Sequence, residues 1–126
     1  MDSERCRSAL DKFGAFIMEH VRDRAYRQYN MLEEGRLKSP RILALQNAVA
    51  HLSEDHKKIV RECVWDAVDG VAHDLLAAFQ ESHDLDEGIE VFVDGVNVAK
   101  ASDMLHGELF GPEGWIAKFS QYPNTQ

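Results

Sequence analysis

Apolar residues recur every three or four positions through Cys6, Ala9, Leu10, Phe13, Phe16, Ile17 and Val21, the spacing of one face of an α-helix. The pattern predicts a helix over 4–33. Ser3 serves as its N-cap, Asp2 and Glu4 suit its positive end, and Gly35 ends it. Gly14 lies at an edge of the stripe, where it gives up about 1 kcal/mol of helix propensity against Ala. That concession points to a close helix contact. After Val21 the stripe either turns polar, with His20, Arg24 and Gln28 at four-residue steps, or drifts toward Ala25, Tyr29 and Leu32 and leaves Arg24 at the rim with its stem packed.

Ser39-Pro40 opens a second helix, with Ser as cap and Pro in the first turn. Ile42, Leu45, Val49 and Leu52 form its apolar face. Ser53 caps a third, over roughly 54–82. At about 100° per residue this one separates cleanly. Val60, Val64, Trp65, Ala67, Val68, Val71, Ala72, Leu75, Leu76, Ala78 and Phe79 share one half; Glu62, Asp66, Asp69 and His73 share the other.

Beyond an acidic loop at 83–88 the period shortens to two. Ile89, Val91 and Val93 alternate with Glu90 and Phe92, a strand pattern. Asp94-Gly95 is a strong hairpin-turn signal and Val96-Asn97-Val98 the return. Such a hairpin is marginal alone, so it must pack on a helix, through Val91 and Val93 or through Phe92. Ser102 then caps a short helix over 103–110, ended by Gly111-Pro112. Residues 115–120 read as a third strand, and 122–126 as a frayed tail. The expected fold is α+β: one domain of three helices, the first and third long, then a small antiparallel sheet with a short helix.

At 126 residues the chain suits one domain. No apolar run approaches the roughly 18–20 residues of a membrane span, and the charged start lacks the order of a secretory signal, so cytoplasm is the default. Cys6 and Cys63 are far apart, and neither belongs to a C-x-x-C pair, which argues against a disulfide framework or a cysteine zinc site.

Charge changes the picture most. Fourteen Lys and Arg against 22 Asp and Glu give a net −8. Residues 1–41 carry nine bases and seven acids, net +2; residues 42–126 carry five and fifteen, net −10. From Glu62 to Glu113 thirteen acids face one base, Lys100. That field repels phosphate backbones and anionic lipid, so neither nucleic acid nor membrane is an expected partner.

Chemistry is sparse. Asp69 and His73 could share an ion but lack a third ligand in pattern, and no H-E-x-x-H motif exists. Asp84-x-Asp86-x-Gly88 has its Gly one place early and no Glu at the twelfth position of a calcium loop. Neither a nucleophile elbow nor a phosphate loop is present. No cofactor is expected, and no catalytic residue is assigned.

The acids Glu62, Asp66, Asp69, Asp84, Asp86 and Glu87 are the expected contact set for a basic protein partner. The expected function is a non-enzymatic binding module, more sharply an acidic inhibitor of the immunity or antitoxin type that neutralises a basic toxin or nuclease. A rival reading is a metal- or small-ligand-binding protein or enzyme with a polar pocket near His20, Arg24 and His73. A third is a homo-oligomer assembled through the first helix. Phe110 and Trp115, on either side of a glycine-flanked turn, serve either packing or an interface.

Overall fold

The computed structural model describes residues 2–123. Most of the expected frayed tail, 122–126, lies outside the described residues. The order is α1 (Ser3–Ile17), a π-helical turn (Met18–Arg22), α2 (Asp23–Glu33), α3 (Pro40–Ala50), α4 (Glu54–Asp84), β1 (Phe92–Val93), β2 (Val96–Asn97), α5 (Val98–Ala101), a 3₁₀ turn (Leu105–Leu109) and α6 (Trp115–Phe119).

The first expected helix is thus real, with an interruption. Its cap is Asp2 rather than Ser3: the Asp2 carboxylate accepts the Glu4 N–H at 3.0 Å. At 18–22 the ladder widens to five residues, with the Asp23 N–H reaching the Met18 carbonyl. Gly35, at φ +74°, closes α2 in a Schellman motif: the Arg36 N–H reaches the Met31 carbonyl and the Gly35 N–H that of Leu32. Ser53 caps α4 through the His56 N–H at 3.2 Å.

The core gathers Leu10, Phe13, Ile17 and Met18 from the first helix, Leu76 from α4, and Val98, Leu105, Leu109, Trp115 and Ile116 from the C-terminal third. Trp115 is fully buried and meets Phe13 edge-on at 5.8 Å. Gly14 is the close contact the sequence pointed to, but its partner is a ring. A Cβ there would lie 2.5 Å from the Trp115 indole. Buried Gln80 ties α4 to the C-terminal third, accepting the Leu105 N–H at 2.8 Å and donating to the Ala99 carbonyl at 3.4 Å.

The α+β expectation needs correction. The protein is mostly helical, with a two-stranded antiparallel sheet in which Phe92 faces Asn97 and Val93 faces Val96. Asp94 and Gly95 both take positive φ, as a hairpin turn requires. The first strand is shorter than its alternation suggested. The Ile89 N–H is bound by the Ser82 hydroxyl, and Glu90 is held by His83 and Asn97. Val91 and Val93 pack on the core while Phe92 is exposed. The expected third strand is helix α6. A strand would send Trp115 and Ile116 to opposite faces, whereas both are buried in one core. The helix expected over 103–110 is the tighter 3₁₀ turn, which buries Leu105 and Leu109.

Arg61 of α4 grips Glu33 of α2, its Nε donating to Oε2 at 3.1 Å and Nη2 to Oε1. That hydrogen bond and the guanidinium charge hold the Glu33 carboxyl below its usual range, against the opposing effect of burial. A depressed carboxylate stabilises the fold above its unfolded pKa, about 4.3, and the contribution is lost as pH falls through the lower folded value. Glu33→Gln is therefore expected to cost up to about 1 kcal/mol at neutral pH, the pair being partly exposed. It should also flatten the loss of stability below about pH 4.3. Urea unfolding of both proteins at pH 7 and pH 3 checks this: an unchanged difference between the two would refute it.

Candidate partner-binding groove

The orientation of α4 decides the site. Its buried line runs through Ala72, Leu76 and Gln80, with Trp65 and Asp69 half-buried upstream. That line is rotated from the centre of the apolar face toward the acidic ridge. Val71, on the far side of the expected buried face from the acids, is 65% exposed.

The cause lies in the π turn. By absorbing one residue it turns Met18, Arg22, Tyr26 and Tyr29 inward; Arg24 and Gln28 are left exposed, and the stripe drifts to Tyr29 as the second of the two readings has it. Arg22 is completely buried. Its Nε donates to Asp69 Oδ1 at 2.7 Å, its Nη1 to the Ser120 hydroxyl at 2.8 Å and the Tyr122 carbonyl at 3.2 Å, and its Nη2 to the Tyr26 hydroxyl at 3.0 Å. The Tyr26 hydroxyl in turn donates to Asp69 at 2.8 Å. Ser120 donates to Asp23 at 2.6 Å, and the Gln121 N–H to the same carboxylate at 2.9 Å. A buried guanidinium thus draws α4 and the end of the chain onto the first helix. Tyr122, expected to fray, is held there.

Beside this network an open groove of about 520 Å³ is lined by Glu62, Trp65, Asp66, Asp69, Gly70, His73 and Phe110. Trp65 stacks on Tyr26, ring centres 4.0 Å apart and planes 8° from parallel. His73 meets the His106 ring at 4.9 Å and lies 6.4 Å from Phe110. Asp69 is at the base, matched by Arg22. Glu62 and Asp66 are exposed, with no cation paired to them among the described residues.

The six expected contact acids fall into two groups. Glu62, Asp66 and Asp69 line the groove. Asp84 lies fifteen residues beyond Asp69, about 22 Å along the helix, and accepts from Gln80 at 3.1 Å. Asp86, at φ +58°, and Glu87 are exposed just past that end. Of the rival pocket, His20 and Arg24 meet each other at 3.3 Å, with Phe16 against the His20 ring at 4.5 Å. His73 is in the groove instead, and its contacts include neither residue. Among the described residues no three His, Cys, Asp or Glu side chains converge as a metal site would require. No helix there is long and apolar enough to cross a membrane.

Phe110, which the sequence offered to packing or an interface, lines the groove, whereas Trp65, Tyr26 and Arg22 carry no site role in the sequence pattern. The available signal was that Met18, Arg22, Tyr26 and Tyr29 keep three- and four-residue spacing where the apolar stripe lapses. No known protein family matches the chain, and neither a curated protein nor a solved structure proves similar to it.

Proposed function

We propose that this protein is a non-enzymatic binding module that takes a cationic side chain of a basic protein partner into the groove beside Trp65. The narrower form of the reading is a small cytoplasmic inhibitor that neutralises a basic toxin or nuclease. The observation that carries it is the pairing of two exposed, unmatched carboxylates, Glu62 and Asp66, with two aromatic rings, Trp65 and Phe110, around one groove. A carboxylate rim draws a guanidinium or ammonium group in. An aromatic face then contributes about 0.5–2 kcal/mol by cation–π attraction, more as the cation is desolvated. Asp69 adds little net charge because Arg22 already matches it.

Trp65 supplies the readout, since the other tryptophan, Trp115, is fully buried. Titration with an arginine-rich peptide should change Trp65 fluorescence saturably. Raising ionic strength from about 0.05 to 0.5 M should weaken the binding steeply. Glu62→Gln with Asp66→Asn should weaken it about tenfold, as two rim contacts near 0.7 kcal/mol each would. The same pair of variants should lose, at low salt, whatever basic protein wild type retains from the native host. Binding that ignores both salt and the double variant would defeat the electrostatic reading.

A further inference from the structure

The rotation of α4 leaves its apolar flank uncovered. Val71 is 65% exposed and Leu75 37%, Ala67 and Ala78 are exposed, and Val64 is half-buried. The gaps between Val64, Ala67, Val71, Leu75 and Ala78 are three, four, four and three, a spacing that reads the same from either end about Val71. A seam with that symmetry matches itself when a second identical helix runs the opposite way, the arrangement an isologous two-fold contact requires. Val71 would then meet Val71 on the axis, Ala67 meet Leu75, and Val64 meet Ala78.

Charge selects the same direction. The first turns of α4 balance Lys57, Lys58 and Arg61 against Glu54, Asp55 and Glu62, whereas no Lys or Arg occurs between Arg61 and Lys100. Glu81, Asp84, Asp86 and Glu87 crowd the other end. A parallel pair would stack those four acids on their own copies. An antiparallel pair sets them against the charge-balanced first turns instead and opposes the two helix dipoles. The register that places Val71 on the axis also puts Leu85, exposed at the acidic end, opposite the aliphatic stem of Lys57.

We infer that this chain pairs with a second copy of itself through α4, antiparallel, with the two-fold axis at Val71. From residue 57 to residue 85 the seam is about 42 Å long. At roughly 10 Å wide it covers on the order of 400 Å² per copy, half that of a standard stable interface, so the dimer forms reversibly with concentration. The groove at Glu62 and Asp66 lies on another side of α4, and the inference stands or falls independently of the partner proposed for it.

Sedimentation equilibrium from about 5 to 500 µM should show the mass rising from one chain toward two, a concentration range suited to so small an interface. Val71→Asp, at an exposed position, should keep the helical circular dichroism and raise the dimer dissociation constant about tenfold or more, since two carboxylates would meet on the axis. Direction is read by cross-linking in a background of Cys6→Ala and Cys63→Ser. A mixture of Val64→Cys and Ala78→Cys chains should form an interchain disulfide under oxidised glutathione, and neither variant alone should do so. A monomer at every concentration, a dimer indifferent to Val71→Asp, or cross-linking of Val64→Cys to itself would each overturn the inference.

Discussion

Arg22→Ala is expected to lower the free energy of unfolding by about 3–5 kcal/mol, the cost of removing one partner from a buried ion pair. The guanidinium is wholly buried and satisfies Asp69, the Tyr26 hydroxyl, the Ser120 hydroxyl and the Tyr122 carbonyl at once. Truncation leaves Asp69 charged and half-enclosed, and releases the segment after α6. Asp69→Asn should also be costly, because it leaves the wholly buried guanidinium without its carboxylate, although the amide oxygen still accepts from Arg22 and Tyr26. The loss for Arg22→Ala should be much smaller in an Asp69→Asn background, since the unmatched charge is then gone. Denaturant unfolding of the two single variants and the double measures this directly. Additive losses would mean the pair does not organise the contact between α4 and the first helix.

Trp115→Ala is the second large effect, expected at about 3–5 kcal/mol from lost burial and the cavity left behind. Trp115 is at the centre of the core, edge-on to Phe13 and against Gly14. Its sharper consequence is a change of sign. In the wild-type protein Gly14→Ala drives a methyl group into the indole and should destabilise by about 1–3 kcal/mol, the usual range for overpacking. In the Trp115→Ala protein the obstruction is gone, and the same substitution should stabilise by up to about 1 kcal/mol through helix propensity alone. Urea midpoints of the four proteins decide it. A Gly14→Ala effect of one sign in both backgrounds would show that the indole is not what demands glycine there.

Much of the helical part was legible because its signals are local. Ser53 capping, Pro40 in a first turn, Gly35 as a stop and the Asp94-Gly95 turn each depend on a few neighbouring residues, and each stands as read. What could not be read depends on distant contacts. The apolar stripe of α1 included Phe16, which is 55% exposed, because period alone cannot say which of two adjacent apolar columns a neighbour covers. The wheel of α4 placed Val71 inside and the acids outside; one buried arginine on another helix reversed part of that choice. Residues 115–120 suited a strand or a helix by composition, and the shape of the pocket for Trp115 and Ile116 chose helix. Half of the contact set converged on the groove because Glu62, Asp66 and Asp69 share a helix face. Asp84, Asp86 and Glu87 belong with them in sequence but not in space.

The widened turn at 18–22 also bears on how the chain accepts changes in length. Losing a residue inside a regular helix swings everything downstream by about 100°. Here the spare residue already bulges from the ladder. Deleting exposed Glu19 would let the backbone close as ordinary α-helix while Arg22, Tyr26 and Tyr29 keep facing Asp69 and Trp65. The same deletion at exposed Gln28, nearly two turns past the guanidinium, has no slack to draw on. Within one continuous rod, two neighbouring sites thus differ sharply in their tolerance of a missing residue.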